Sequence, residues 1–188
     1  MEKKINPIVT IFTIIVIVVA CILIYTILIS QSDILEGLEK IPYTNKEHGW
    51  SIYYPAGWHF SEGVFGDANF KTNSTDDIFL TIRVEPPEYD DPTTLDDEVK
   101  TMRDFLTNAS YGYHYIISEN NRTINDMGSY EFVYKYGDDP FFIKTKHIFI
   151  EKEGRVYKIL YIAGINSFDK YESLAEKCIN TFEIITDN

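Results

Sequence analysis

The sequence predicts an α+β fold: a central antiparallel sheet flanked by helices, behind one amino-terminal transmembrane helix. Three observations support this prediction: a long uncharged apolar stretch, successive segments of alternating apolar residues, and two segments with helical spacing. Strands that follow one another with few helices between them are typical of antiparallel sheets covered by helices. Aromatic residues make up 15% of the chain, which argues against disorder.

The apolar stretch, residues 7–29, contains no charged side chain and consists mostly of Ile, Val and Leu. As a helix it extends about 35 Å, which is enough for a hydrocarbon core of about 30 Å. We therefore predict a transmembrane helix that binds membrane lipid through residues 7–29. A lipoprotein signal ending at Cys21 is an alternative, because Val18 to Cys21 resembles a lipobox. A cleaved signal peptide is another, although its apolar core spans only about 7–15 residues.

Lysine placement predicts the orientation of this helix. Lys3 and Lys4 precede it, whereas no basic residue follows it before Lys40. The positive-inside rule therefore places the amino terminus in the cytoplasm and the domain outside, as a single-pass protein of the cell membrane. The predicted parts are a cytoplasmic stub with the transmembrane helix (1–30), a tether (31–46) and an extracytoplasmic domain (47–188).

Alternating apolar and polar residues predict the strands of the outer domain. These strands are 50–54, 69–72, 78–84, 113–117, 130–136, 142–150 and 155–163, with a short terminal strand at 182–184. A hairpin loop is predicted at 151–154, between the last two long strands.

Caps and apolar spacing predict two helices. Thr94 begins the first, in a capping box with Asp97. The second begins at Asn166 or Ser167. Cys178 lies on its apolar face, so we expect a small buried residue rather than a reactive thiol. The apolar stripes of the two helices are Leu95, Val99, Met102 and Leu106 in the first, and Phe168, Tyr171, Leu174, Ala175 and Cys178 in the second.

Charge and cysteine content exclude several classes of function. The net charge is −12, and because the first thirty residues carry +1, the remainder carries −13. Nucleic acid is excluded as a partner, since binding phosphate needs Lys and Arg. Cys21 and Cys178 are the only cysteines of the sequence, and Cys21 lies in the apolar stretch. A disulfide within the outer domain and a cysteine-rich zinc site are therefore excluded.

One acidic run is the candidate metal site. It precedes the first predicted helix and consists of Glu85, Glu88, Asp90 and Asp91. Carboxylate oxygens suit hard cations, so weak binding of calcium or manganese is one interpretation. The other is a solvated acidic loop, because the spacing is not that of an EF-hand. Three Asn-x-Ser/Thr sequons, at Asn73, Asn108 and Asn121, are candidate glycosylation sites of an exterior domain, with chance as the alternative.

The sequence contains no motif that supports catalysis. His48, His59, His114 and His147 form no His-Glu-x-x-His, and neither a Gly-x-Ser-x-Gly elbow nor a Gly-rich phosphate loop is present. We therefore predict that the protein is not an enzyme and uses no cofactor, with a hydrolase of unrecognised residues as the alternative. Six tyrosines either stabilise the sheet or form an exposed recognition surface. These are Tyr111, Tyr113, Tyr115, Tyr130, Tyr134 and Tyr136.

Most of residues 45–186 resembles the PsbP-like family. The resemblance lies in GWSIYYPAGW (49–58), TLDD (94–97), MGSYEF (127–132), GRVYKI (154–159) and the closing helix (167–182). It implies a PsbP-like α/β/α sandwich in an archaeal or other prokaryotic, membrane-anchored member. The plant member is an extrinsic photosystem protein that helps to retain calcium, chloride and manganese. Family members are largely non-enzymatic, and no catalytic motif can be carried over to this chain.

These observations predict a non-enzymatic, membrane-anchored, extracytoplasmic module that docks on another protein of the membrane or envelope. The alternative is a domain that weakly binds a divalent cation, calcium or manganese, or a small ligand.

Overall fold

A computed structural model divides the chain into two compact units, Met1–Glu39 and Lys40–Asn188. The residues that the structure describes are 16–19, 39–63, 66–72, 81–87, 93–108, 114–137 and 142–185.

In the amino-terminal unit, residues 16–19 are helical and exposed. The predicted transmembrane segment, residues 7–29, otherwise lies outside the described residues. Within the described part of the chain, no helix has both the length and the apolar character needed to cross a bilayer.

The second unit contains ten strands and two helices among its described residues. In chain order they are β1 (Lys40–Asn45), β2 (Trp50–Pro55), β3 (His59–Glu62), β4 (Ala68–Lys71), β5 (Thr81–Glu85), α1 (Leu95–Thr107), β6 (His114–Ile124), β7 (Met127–Tyr136), β8 (Ile143–Lys152), β9 (Arg155–Gly164), α2 (Ile165–Ile179) and β10 (Glu183–Ile184).

The strands form two antiparallel sheets. The smaller sheet has the order β1-β2-β10, and the larger has the order β3-β4-β5-β9-β8-β7-β6. Because side chains alternate between the faces of a strand, each strand in the middle of the larger sheet contributes to two cores. In β8, Ile148 and Ile150 pack in one core, whereas Phe149 packs in the other.

The first core lies on the face of the larger sheet that α2 and the smaller sheet cover. Trp50 of β2, Ile159 of β9 and Phe168 of α2 are fully buried there. The Tyr161 hydroxyl donates a 2.8 Å hydrogen bond to the Phe168 carbonyl, which satisfies this buried polar group. Truncating a buried Trp or Phe to Ala costs about 3–5 kcal/mol, so this core is a major source of stability.

The second core lies under α1 on the opposite face. Val99 and Leu106 of α1 pack against Phe132 and Phe149 of the sheet. The predicted capping box is confirmed: Thr94 accepts a hydrogen bond from the Asp97 amide, and the Asp97 carboxylate accepts one from the Thr94 amide. These bonds satisfy amides at a helix start that have no intrahelical partner.

The α+β class with helices on both faces is thus confirmed, but its details differ from the sequence-based expectation. β1 lies within residues 31–46, the predicted tether, so the folded unit begins at Lys40. β1 pairs with β2 rather than joining the central sheet. The second helix begins after Gly164, without a side-chain cap from Asn166 or Ser167. Its predicted apolar face is correct, and Cys178 is buried.

Candidate docking surface

β6 ends the larger sheet, and this position creates an open edge. Within the described part of the chain β6 pairs with β7 alone. The two strands are joined by a tight turn in which Asn125 and Asp126 both have positive φ, 45° and 62°. Asn and Asp tolerate this conformation better than other non-glycine residues, and such turns match the twist of a hairpin. Among the described strands, none lies beside the outer edge of β6, so the backbone groups on that side lack a described strand partner.

Four apolar side chains are exposed beside this edge. Their exposed fractions are 38% for Phe105, 48% for Tyr115, 37% for Ile116 and 52% for Ile117. Phe105 of α1 joins the group because its ring packs on His114, with centroids 4.8 Å apart. We call Phe105, Tyr115, Ile116 and Ile117 the edge patch. Phe105 and Ile116 lie on the α1 face of this edge, whereas Tyr115 lies on the opposite face beside its strand partner Lys135.

A β-bulge interrupts β6 within the edge patch, at Ile117. Ile116 pairs with Tyr134 and Ser118 pairs with Val133, which leaves Ile117 as an extra residue between them. The extra residue interrupts the alternation of faces and increases the local twist. The alternation predicted over residues 113–117 therefore assigns Ile117 to the wrong position relative to β7. No feature of the sequence indicates the bulge.

Polar groups surround the patch on both sides. Arg103 of α1 donates to the Glu119 carboxylate at 2.9 Å and to the Tyr130 hydroxyl at 3.0 Å. The Lys135 ammonium lies 5.1 Å from the centre of the Tyr115 ring, a cation–π contact. The Arg103–Glu119 pair thus flanks the edge on the α1 face, and Lys135 flanks it on the opposite face.

An ion cluster on the α2 side of the sheet holds β6 in place. We call Arg122, Glu131, Lys146, Glu172 and Glu176 the inner ion cluster. Arg122 of β6 contacts Glu131 of β7 at 2.5 Å and Glu176 of α2 at 2.9 Å. Lys146 of β8 contacts Glu172 at 2.8 Å and also pairs with Glu176. Three strands and one helix are thereby linked through charged hydrogen bonds.

The contacts within this cluster stabilise the charged forms of Glu176 and Lys146. Burial alone would raise the pKa of Glu176, but hydrogen bonds from Arg122 and Lys146 outweigh burial and lower it. Burial likewise opposes the charge on Lys146, yet its bonds to Glu172 and Glu176 raise its pKa. Lys146 is only 7% exposed, so its charge depends on these carboxylates.

His147 has the most unusual environment among the histidines of the described residues. Its ring stacks on Phe149, with centroids 4.3 Å apart. Nδ1 and Nε2 are both shielded from solvent and have no hydrogen-bond partner. Burial, with a smaller contribution from the Lys158 charge, lowers the pKa of His147 from an ordinary 6.5 to about 3. A neutral ring without hydrogen bonds does not orient a nucleophile or bind a charged group.

The predicted metal residues are only partly described. Glu88, Asp90 and Asp91 lie outside the described residues. Glu85 lies on β5, where its carboxylate pairs with the Arg83 guanidinium at 3.1 Å. Among the described residues, no three His, Cys, Asp or Glu side chains group as metal ligands would. Calcium or manganese binding through this run stays a prediction.

The sequon asparagines have different surroundings. Asn108 ends α1 and Asn121 lies on β6, and both are exposed. Asn73 lies outside the described residues. Use of these sequons as glycosylation sites stays a prediction.

The six tyrosines do not form one exposed face. Tyr115 is exposed, Tyr134 is buried, and Tyr130 and Tyr136 are half-buried against the α1 core. Tyr111 and Tyr113 lie outside the described residues. Burial raises the pKa of Tyr134, as expected for a phenol under a helix. Of the two interpretations of these tyrosines, stabilisation of the sheet fits the three on β7, whereas Tyr115 is exposed at the sheet edge.

Comparison with known proteins finds relatives in fold only: no family model and no curated protein matches the sequence. The cyanobacterial PsbP (CyanoP) of Synechocystis sp. PCC 6803 matches with a TM-score of 0.55 at 17% identity, covering 78% of this chain and 93% of that one. The Ran-binding protein Mog1p of Saccharomyces cerevisiae matches with a TM-score of 0.56 at 10% identity, covering 79% and 97%. PA94 of Pseudomonas aeruginosa, a protein of unknown function, matches with a TM-score of 0.54 at 12% identity, covering 80% of this chain and 99% of that one.

At these identities the likeness shows the fold alone. The PsbP-like fold implied by the sequence resemblance is confirmed. The archaeal or other prokaryotic, membrane-anchored subtype stays a prediction.

The inner ion cluster yields a stability prediction. Lys146→Met should lower the free energy of unfolding by about 1–3 kcal/mol, because Glu172 loses its cation and Glu176 retains only Arg122. Urea denaturation of the full chain in detergent micelles measures this loss. Lys100→Met is the matched control, since the Lys100–Asp104 pair is exposed and its removal should change stability little. Equal losses in the two variants would contradict the prediction.

His147 yields a pH prediction. The unfolded chain binds a proton at this ring near pH 6.5 and the folded chain only near pH 3. The stability contributed by the neutral ring is therefore complete above pH 6.5 and is lost as the pH falls towards 3, at up to about 1.4 kcal/mol per pH unit. His147→Phe should flatten the fall in unfolding free energy over this range, as measured by urea denaturation at several pH values. The exposed His59→Phe should keep the wild-type profile, and an unchanged profile in His147→Phe would refute the assignment.

Proposed function

We propose that the protein is a non-enzymatic, single-pass, membrane-anchored module that docks on another protein of the membrane or envelope. The docking surface is the edge patch beside β6. Residues 7–29 provide the anchor and the domain lies outside the cytoplasm, as the apolar composition and the placement of Lys3 and Lys4 indicate.

The edge patch is the observation that carries this proposal. It groups two isoleucines and two aromatic side chains along one edge of the sheet, with Phe105 and Ile116 on the α1 face and Tyr115 on the opposite face. Each is more than a third exposed. Aromatic side chains in the centre of an interface contribute much of the binding energy when they are desolvated. The surrounding Arg103–Glu119 pair and Lys135 supply the polar rim that would exclude water from a complex.

The position of the patch also favours docking over an internal role. β6 is held to the sheet by β7 and by the inner ion cluster, which together fix the backbone beside the patch. A rigid edge loses little conformational freedom when a partner binds. Protein binding is also the property by which Mog1p, a protein of the same fold, is described.

A matched pair of variants tests the docking surface. Tyr115→Ser should reduce the yield of a defined cross-linked partner adduct in native membranes about tenfold, because truncating an interface aromatic costs more than about 1.4 kcal/mol. Tyr53→Ser removes an equally exposed tyrosine, 44% accessible, from the smaller sheet and should leave the adduct unchanged. Both variants should keep wild-type stability, since neither creates a cavity. Loss of adduct in both variants, or in neither, would reject the patch as the docking surface.

Cell fractionation tests the anchor. The full chain should remain in the membrane pellet after a high-salt wash, and protease added to intact cells should digest the domain. A variant that lacks residues 1–30 should move to the supernatant. Full-length protein in the supernatant, or digestion only after the cells are broken, would exclude the proposed placement.

A further inference from the structure

We propose that the partner contributes an extended basic segment that pairs with the outer edge of β6 as an eighth strand of the larger sheet. This proposal rests on the proposed docking function and specifies its mode. Pairing of backbone groups along a strand would supply much of the affinity, and the edge patch would select the side chains of the segment.

A comparison of the sheet edges favours β6 as the acceptor. Among the described strands, the other edges are formed by β1, β3 and β10. β3 has four residues and β10 has two, so both are too short to template a long strand. β1 carries Lys40 and Pro42, two residue types that protect edges against pairing. β6 has eleven residues and contains neither Lys nor Pro.

The side chains along β6 divide the edge into two functional halves. The first half carries the exposed Tyr115, Ile116 and Ile117 of the edge patch. The second half, residues 118–124, pairs with β7 without interruption. Its exposed Asn120, Asn121 and Thr123 are small and uncharged, and its exposed Glu119 is paired with Arg103. Such a surface lets a second backbone approach without steric conflict, while the apolar half provides the anchor.

Charge indicates the chemistry of the partner segment. The chain carries −12, so an acidic segment would be repelled and a basic one attracted. The cations next to the edge already have partners: Arg103 pairs with Glu119, Arg122 pairs with Glu131 and Glu176, and Lys135 lies over the Tyr115 and Phe142 rings. A segment rich in Lys or Arg therefore suits this edge.

A second copy of the chain is a poorer occupant. It brings a further −12 to the interface. In the symmetric antiparallel register that uses the full length of β6, Glu119 stands opposite its own copy, and like charges directly opposite each other destabilise a sheet.

Site-specific cross-linking in native membranes tests strand addition. A photo-reactive phenylalanine analogue is placed separately at Tyr115, at Thr123, at Phe105 and, as a control, at Tyr53. Strand addition predicts adducts from Tyr115 and Thr123 on one segment of one partner, about seven or eight residues apart, because paired strands have equal rise per residue. The mapped segment should contain Lys or Arg, and the Tyr53 adduct should be at least about tenfold weaker, since strand addition is confined to the edge.

Other outcomes would reject strand addition, the basic partner or the docking function separately. Adducts from Phe105 and Tyr115 without one from Thr123 would retain docking at the patch but reject strand addition. Adducts on separated, non-contiguous parts of the partner would do the same. Adducts on another copy of this chain, or on an acidic segment, would reject the basic partner. No partner adduct from any of the three patch and edge positions would reject the docking function itself.

Discussion

Burial of both faces of β7, β8 and β9 is the constraint on which the rest of the structure depends. Their side chains alternate between the α2 core and the α1 core, so the pairing register decides which residues each helix meets. A slip of one residue in β8 would bring Lys146 under α1 and His147 against α2. The inner ion cluster would then lose its central cation, which opposes any such slip.

This constraint also determines which strand of the larger sheet has an open side. The central strands are covered on both faces, and their edges are paired. β6 completes the sheet on one side only, and α1 reaches it through Phe105 and Arg103. The same strand thus carries Arg122, turned towards α2 and largely buried, and the exposed edge patch. A largely buried ion pair and exposed apolar side chains thus lie on one strand.

Local chemistry explains which elements could be predicted from the sequence. The Thr94–Asp97 capping box and the hairpin at Glu153 and Gly154 depend on neighbouring residues, so the pattern reveals them. β1 could not be predicted, because Lys40 and Pro42 weaken its strand pattern and the strand depends on pairing with β2. The burial of Tyr134 depends on α1, and the exposure of Ile117 on a bulge, and both are tertiary effects.

The bulge at Ile117 has a further consequence for the solution behaviour of the chain. Without this extra residue, β6 would be a flat, regular and partly apolar edge strand. Such strands are the ones on which identical chains associate into fibrils. The local bend and twist oppose such association, whereas a flexible peptide that follows the twist could still reach the backbone groups. The extra residue at Ile117 is therefore expected to oppose edge-to-edge association of identical chains.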